Sequence, residues 1–185
     1  ALSLINKGCV LISQHADSMG APNACEEKGV PNVSYNGSTV NACPETFIIS
    51  SRINWAPYYK YIIAQTVNGE KVDTNWTGTL KNGSVELTDL GGKAMAAGTV
   101  EKLVEVRNNL LNGTLHVFDI NNFRVDGKQK TSYAVDGVSE NVIADGYFHE
   151  SEFRSAPYFD LLIDGINLLN RVFSPDDVTD DDFNN

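Results

Sequence analysis

Residues 8–29, GCVLISQHADSMGAPNACEEKG, constrain this chain more than any other stretch. Cys9, Val10, Leu11 and Ile12 form a short apolar run, the pattern of a strand buried on both faces. The run stops at SQHADS, a dense set of hydrogen-bonding side chains. Gly20 and Pro22 open a segment that Gly29 closes, and these are helix start and stop signals. Strand, polar loop and helix together make the unit of an open α/β sheet, where ligands bind at the carboxyl ends of the strands. The loop at residues 14–18 sits at such an end.

The pattern repeats. Val30, Val33 and Tyr35 read as a short strand that runs into Asn36, Gly37 and Ser38. Phe47, Ile48 and Ile49 read as another that runs into Ser50 and Ser51. Polar loops at residues 14–18, 36–39 and 50–54 thus follow three successive strands. The expected product is a parallel sheet with all three loops at one edge. Pro57 and the Asn68-Gly69 stop bound a helix expected to pack on that sheet. Residues 75–90 read as two short β segments around an Asn82-Gly83 turn. Residues 99–113 give the clearest helix, with Thr99 as cap, Glu101 in the first turn and Gly113 as stop. Its apolar residues Val100, Leu103, Val104, Leu110 and Leu111 recur at helical spacing. Residues 115–118 read as a final apolar strand, and Asp126-Gly127 as a hairpin turn. Residues 145–160 mix aromatics and charges without a clear period. A helix over 157–170 is interrupted at Asp164-Gly165.

The formal charge of −10 argues against a nucleic-acid partner, which requires a basic face. Asp176, Asp177, Asp180, Asp181 and Asp182 place much of that charge in a tail expected to be solvated. No apolar run approaches the ~20 residues of a membrane span. Cys9, Cys25 and Cys43 lack CxxC spacing and read as small buried or half-buried residues. Residues 1–8 look like the last two turns of an amphipathic helix, with no cap and no initiator Met before it. A chain that starts so is expected to be a piece of a longer one.

Chemistry from the residues alone stays open. His15 and Asp17, with Ser18 beside them, would give an enzyme a base and its orienter, but no nucleophile elbow accompanies them. His15, His116, His149, Glu150 and Glu152 lack metal-ligand spacing, so neither metal nor cofactor is expected. The alternatives for the 14–18 loop are a loop that bonds its own backbone and a site for a small polar ligand. Asn54 and Trp55 suit the second: an aromatic plate beside an amide meets the face and edge of a planar heterocycle. Trp55 serving only as a staple for the helix start is the other reading.

The segments ISQHADS, EEKGVPNVSYN, NWAPYY and LLNGTLHVF, in that order, resemble the basic membrane protein (BMP) family. These are substrate-binding lipoproteins of ABC importers, and characterised members bind purine nucleosides or nucleobases. The resemblance runs from about residue 1 to 118. It implies a Rossmann-like lobe of a type I periplasmic-binding fold, an α/β architecture with a parallel sheet and flanking helices. On that pattern residues 1–118 are the second-lobe and hinge-crossing part, residues 119–175 a C-terminal extension, and residues 176–185 an acidic disordered tail. Most of the first lobe is then absent from this chain. The family's second-lobe loop falls on His15, Ala16, Asp17 and Ser18. Where nucleoside-binding members carry an Asp for the ribose hydroxyls this chain has Asn36. Where they carry a Lys it has Asn54, followed by Trp55. The implied role is reversible binding of a purine-like ligand and its delivery to a membrane ABC permease, by an extracytoplasmic, lipid-anchored or periplasmic protein. A ligand-sensing regulator domain of the same fold and an α/β enzyme using His15 and Asp17 are the rival readings.

Overall fold

The computed structural model describes residues 1–150, 152–153 and 158–166. The acidic tail from residue 176 and the end of the 157–170 segment lie outside them. The contacts divide the chain into two compact units, Ala1–His116 and Val117–Asn185.

The first unit holds a four-stranded sheet, β1 (Ile12–Ser13), β2 (Asn32–Tyr35), β3 (Phe47–Ile53) and β4 (Val85–Leu87), in that spatial order. β1 and β2 pair in parallel, as do β2 and β3, whereas β4 runs antiparallel to β3. The expected parallel trio is therefore present, with its three polar loops at one edge. Four helices accompany it: α1 (Leu2–Asn6), α2 (Gly20–Lys28), α3 (Ala56–Val67) and α4 (Thr99–Asn112). Gly29 and Gly113 end α2 and α4 in the left-handed conformation, at φ 65° and 70°. Those backbone angles favour glycine, which is why the stops were legible.

Several expectations are corrected. β1 is two residues long, and Val10 and Leu11 are 80% and 50% exposed. β1 is an edge strand with β2 on one side alone, so the run before Ile12 has no neighbour to bury it. In β2 the buried side chains are Asn32 and Ser34, and Val33 and Tyr35 are half-buried. A strand alternates faces, and here the polar face is the inward one because a polar layer waits beneath it. α3 does not bury a face on the sheet: it has no buried residue, and Tyr59, Ile63 and Val67 are exposed. Its cover is the segment after it. The Tyr61 hydroxyl donates to Asp73 (2.5 Å), and the Trp76 ring lies 5.1 Å from that of Tyr58. Residues 75–79 form no strand. The Asn82 side chain holds a turn there, accepting from Thr79 N–H (2.8 Å) and Ser84 N–H (3.1 Å), and β4 pairs with β3 instead. Gly98, not Thr99, is the N-cap of α4. Residues 115–118 form no strand, and Val117 is 64% exposed. β4, and not this segment, pairs with the second side of β3.

The second unit is a small aromatic core with little regular structure. β5 (Ile143–Ala144) and β6 (Tyr147–Phe148) form a hairpin across Asp145 and Gly146, both at positive φ, the geometry of a tight Asp-Gly turn. Val142, Ile143, Phe148 and Tyr158 form its buried centre, with Phe118, Tyr133 and Phe159 packed against them. The Phe118 and Phe159 rings stack at 3.9 Å. The Asp126-Gly127 turn is present, closed by a Val125–Lys128 bridge but without flanking strands. The Asp164 carboxylate accepts both of its N–H groups, at 3.0 and 2.7 Å. Residues 158–166 are irregular with a turn at Asp164-Gly165, not helical.

Candidate functional site

Parallel pairing brings the ends of β1 and β2 side by side, and the loops that follow them enclose a cleft of about 240 Å3. Ala16, Asp17 and Ser18 line it from the β1 side, together with Gln14. Tyr35, Asn36, Ser38 and Thr39 line it from the β2 side. Asn36 stands at φ 65°, left-handed backbone that Asn tolerates better than most residues, and its N–H donates to Ser51 O at 2.6 Å. That bond ties the second loop to the end of β3.

A second, larger cleft of about 590 Å3 lies across the same wall. Asn36, Gly37 and Ser38 line both. Its far side is Arg52 on β3 with Glu86 and Thr88 at β4. Arg52 and Glu86 are directly opposite in the antiparallel register, which places their side chains together as an ion pair. Thr88 Oγ1 accepts from Ser50 N–H at 3.0 Å and fixes the turn beyond β4.

Of the residues singled out from the sequence, Ala16, Asp17, Ser18 and Asn36 come together in the smaller cleft. His15 is not among its lining residues. Its ring lies flat on Tyr35, 4.0 Å between centroids and 15° between planes. No hydrogen bond joins His15 to Asp17 or Ser18 among the described residues, so the base-and-orienter pairing is not formed. Asn54 and Trp55 line neither cleft. The Asn54 side-chain oxygen accepts the Ala56 N–H (3.1 Å), and its own backbone N–H donates to Ser84 O (2.8 Å), so this residue closes the turn that leads into α3, whose N-cap is Trp55. Trp55 is 56% exposed, with its ring 6.4 and 6.3 Å from those of Tyr58 and Tyr59. Gln14 lines the smaller cleft as a member of the 14–18 loop, and Arg52 and Glu86 are lining residues that sequence reasoning passed over. The available signal for Arg52 was a lone cation ending a strand that otherwise closes in hydroxyls.

The chemistry on offer is hydrogen bonding. Asp17, Ser18, Asn36 and Ser38 present acceptors and donors to a polar solute, and Arg52 adds a fork of donors whose charge Glu86 offsets. Among the described residues no group of three His, Cys, Asp or Glu side chains gathers as a metal site.

A putative ABC transporter glucose-binding protein of Haloferax volcanii is 26% identical over 147 residues, covering 77% of this chain and 37% of that protein. The chain thus spans little more than a third of that relative's length. A solved ABC transporter solute-binding protein from Conexibacter woesei superposes with a TM-score of 0.49 at 19% identity, covering 62% of this chain and 39% of the other. The family model described as Bmp, ABC transporter substrate-binding protein PnrA-like, matches residues 1–121, and the chain belongs to that family.

Proposed function

We propose that this chain is the solute-holding part of an extracytoplasmic substrate-binding protein that delivers a purine nucleoside or nucleobase to a membrane ABC permease. In this reading residues 1–118 are the second-lobe and hinge-crossing part, and residues 119–175 an extension. The observation that carries it is the meeting of Asp17, Ser18 and Asn36 at the carboxyl edge of parallel strands, in a cleft whose wall continues to Arg52. Hydroxyls of a ribose, or the edge of a base, find complementary groups there. His15 serves the site through its stack on Tyr35, which fixes the loop that presents Asp17 and Ser18. Ala16 leaves room for the solute at that loop. Asn54 holds Trp55 at the start of α3, where its exposed indole is free to cover a base. Binding is reversible and the solute leaves unchanged. A lipid anchor or a periplasmic location would both keep such a receptor beside its permease.

A sugar is the second reading, and the name of the Haloferax relative favours it. Isothermal titration of the full-length protein with adenosine, adenine and D-glucose separates the two. Binding of either purine with glucose silent is the expected result. Glucose binding with both purines silent replaces the purine reading by the sugar one. Chemical conversion of adenosine during incubation would instead support an enzyme.

A further inference from the structure

Beneath the sheet of the first unit, buried polar side chains form one continuous hydrogen-bonded chain. It starts at the cleft wall, where Gln14 Nε2 donates to Ser34 Oγ at 3.5 Å. Ser34 Oγ and Thr39 Oγ1 lie 2.7 Å apart, and Thr39 Oγ1 and Cys43 Sγ 3.5 Å apart. The Cys43 thiol has two acceptors, the Thr39 carbonyl oxygen at 3.2 Å and Asn32 Oδ1 at 3.7 Å, and the second carries the chain onward. Asn32 Nδ2 donates to Thr46 Oγ1 (3.0 Å), and the Thr46 hydroxyl donates to Glu26 Oε2 (2.9 Å). The five residues between Gln14 and Glu26 are all buried.

Such a chain has a sense. Each hydroxyl that accepts from one neighbour is free to donate its hydrogen to the next, and the chain must end on a group with no hydrogen to give. Glu26 is that group. Its carboxylate also accepts the backbone N–H of Thr46 at 3.1 Å and of Glu45 at 3.2 Å, which anchors it. Bonds aligned in one sense polarise and strengthen each other. At the other end the sense turns the nitrogen of the Gln14 amide toward Ser34. Its oxygen is left buried without a partner, on a side chain that lines the cleft. Buried polar atoms are paired as a rule, so an unpaired one on a cleft wall calls for a donor from outside the chain.

We infer that Gln14 determines specificity at this site, its carbonyl oxygen accepting a hydrogen bond from an N–H or O–H of the solute. Ser34, Thr39, Asn32 and Thr46 are positioning residues that hold the amide in that sense against Glu26. The inference rests on the reading of the cleft as a solute site. It adds that the solute must present a donor, such as an exocyclic amino group or a hydroxyl, to the β1 side.

The test has two arms. In the first, the side-chain amide signals of Gln14 are followed by nitrogen-15 NMR in the chain without solute, for the wild type, Thr46→Val and Thr46→Ser. Protected signals in the wild type, lost in Thr46→Val and restored in Thr46→Ser, are expected. Signals that are the same in all three overturn the relay. Ser34→Ala repeats the arm from the other end should Thr46→Val fail to fold. In the second arm, adenosine and D-glucose are titrated against the full-length protein. Gln14→Ala should weaken whichever binds by about tenfold, the loss of one well-made hydrogen bond. Affinity equal to the wild type overturns the contact. Binding of neither probe by the wild type removes the solute reading and the contact with it, while the amide signals still decide the relay.

Discussion

In the unit that carries the candidate site, Asn32, Ser34, Thr39, Thr46, Ser50 and Ser84 are buried beside Ile12, Phe47 and Ile49. In the second unit the buried set is Phe123, Val125, Val142, Ile143, Phe148 and Tyr158, with His149 the one buried polar side chain among the described residues. His149 is itself satisfied, its ring nitrogens 2.7 Å from Glu152 Oε2 and 3.2 Å from Ala144 O. The first interior is directional, since each polar group needs a particular partner at a particular angle. The second is adhesive, since ring contact and apolar area tolerate many arrangements. A directional interior fixes the positions of the loops it underlies, and the candidate site lies on that interior. An adhesive interior holds a short chain together without needing long strands or helices.

The contrast can be broken by substitution, and the largest effect is expected in the aromatic core. Phe148→Ala should cost the second unit about 3–5 kcal/mol, the usual loss for a buried Phe. Hydrogen exchange read by mass spectrometry should show residues 118–148 opening while β2 and β3 keep their protection. Loss of protection in both units would mean they share one core. Next comes Gly91→Ala, because a Cβ there would stand 1.9 Å from the Phe47 carbonyl oxygen. Gly91 also donates its N–H to Ile48 O at 2.8 Å, so it cannot retreat without breaking that bond. Overpacking of this kind costs about 1–3 kcal/mol, and thermal melting should place the whole loss in the first unit. Asn32→Ala sharpens the directional side. It strips Thr46 and Cys43 of a buried partner and should lower stability by about 1–3 kcal/mol by chemical denaturation. A loss no greater than that of an exposed Asn would show the polar layer to be incidental.

The smallest effect compares one device in both units. Tyr61 donates to Asp73, and Tyr133 donates to Asp160 at 2.6 Å. The carboxylate that accepts each phenol proton, foremost among the causes, holds its pKa above the ordinary value of 10.0. A raised phenol contributes stability that is whole below that value and is lost as pH rises through the folded one. Tyr61→Phe and Tyr133→Phe should each lose that small contribution at pH 7 and show correspondingly less further loss as pH rises past 10. Ultraviolet titration of phenolate should show one late-ionising tyrosine fewer in each variant. An unchanged titration curve would mean that the hydrogen bond is not held in solution.

What the sequence made legible is what local chemistry decides. Gly29 and Gly113 announce left-handed stops. Pro57 opens α3 where it should, and three apolar runs ending in hydroxyls foretell three parallel strands. Asp17, Ser18 and Asn36 could be placed at one edge for that reason alone. The inward face of β2 was not legible, because Val33 and Tyr35 alternate as an apolar face would, and nothing local reveals a polar layer supplied by residues 39–46. Nor was the role of Asn54, whose amide oxygen is spent on the Ala56 N–H. Nor was the partner of α3: Trp76, from later in the chain, meets Tyr58 and Tyr61, and Tyr59 and Ile63 stay exposed. The aromatic core was hidden for the same reason: Phe118, Tyr133, Phe148 and Phe159 meet from distant positions, and no periodicity joins them.

The segment of Asn36, Gly37 and Ser38 is a partition with a cleft on either side. A partition cannot move toward one compartment without moving away from the other. A solute that displaced it from the side with Asp17 would change the room on the side with Arg52 and Glu86, and any such linkage between two occupied places on one molecule is reciprocal. The bond from Asn36 N–H to Ser51 O ties that partition to the end of β3, so a change in that one backbone contact would be felt in both compartments.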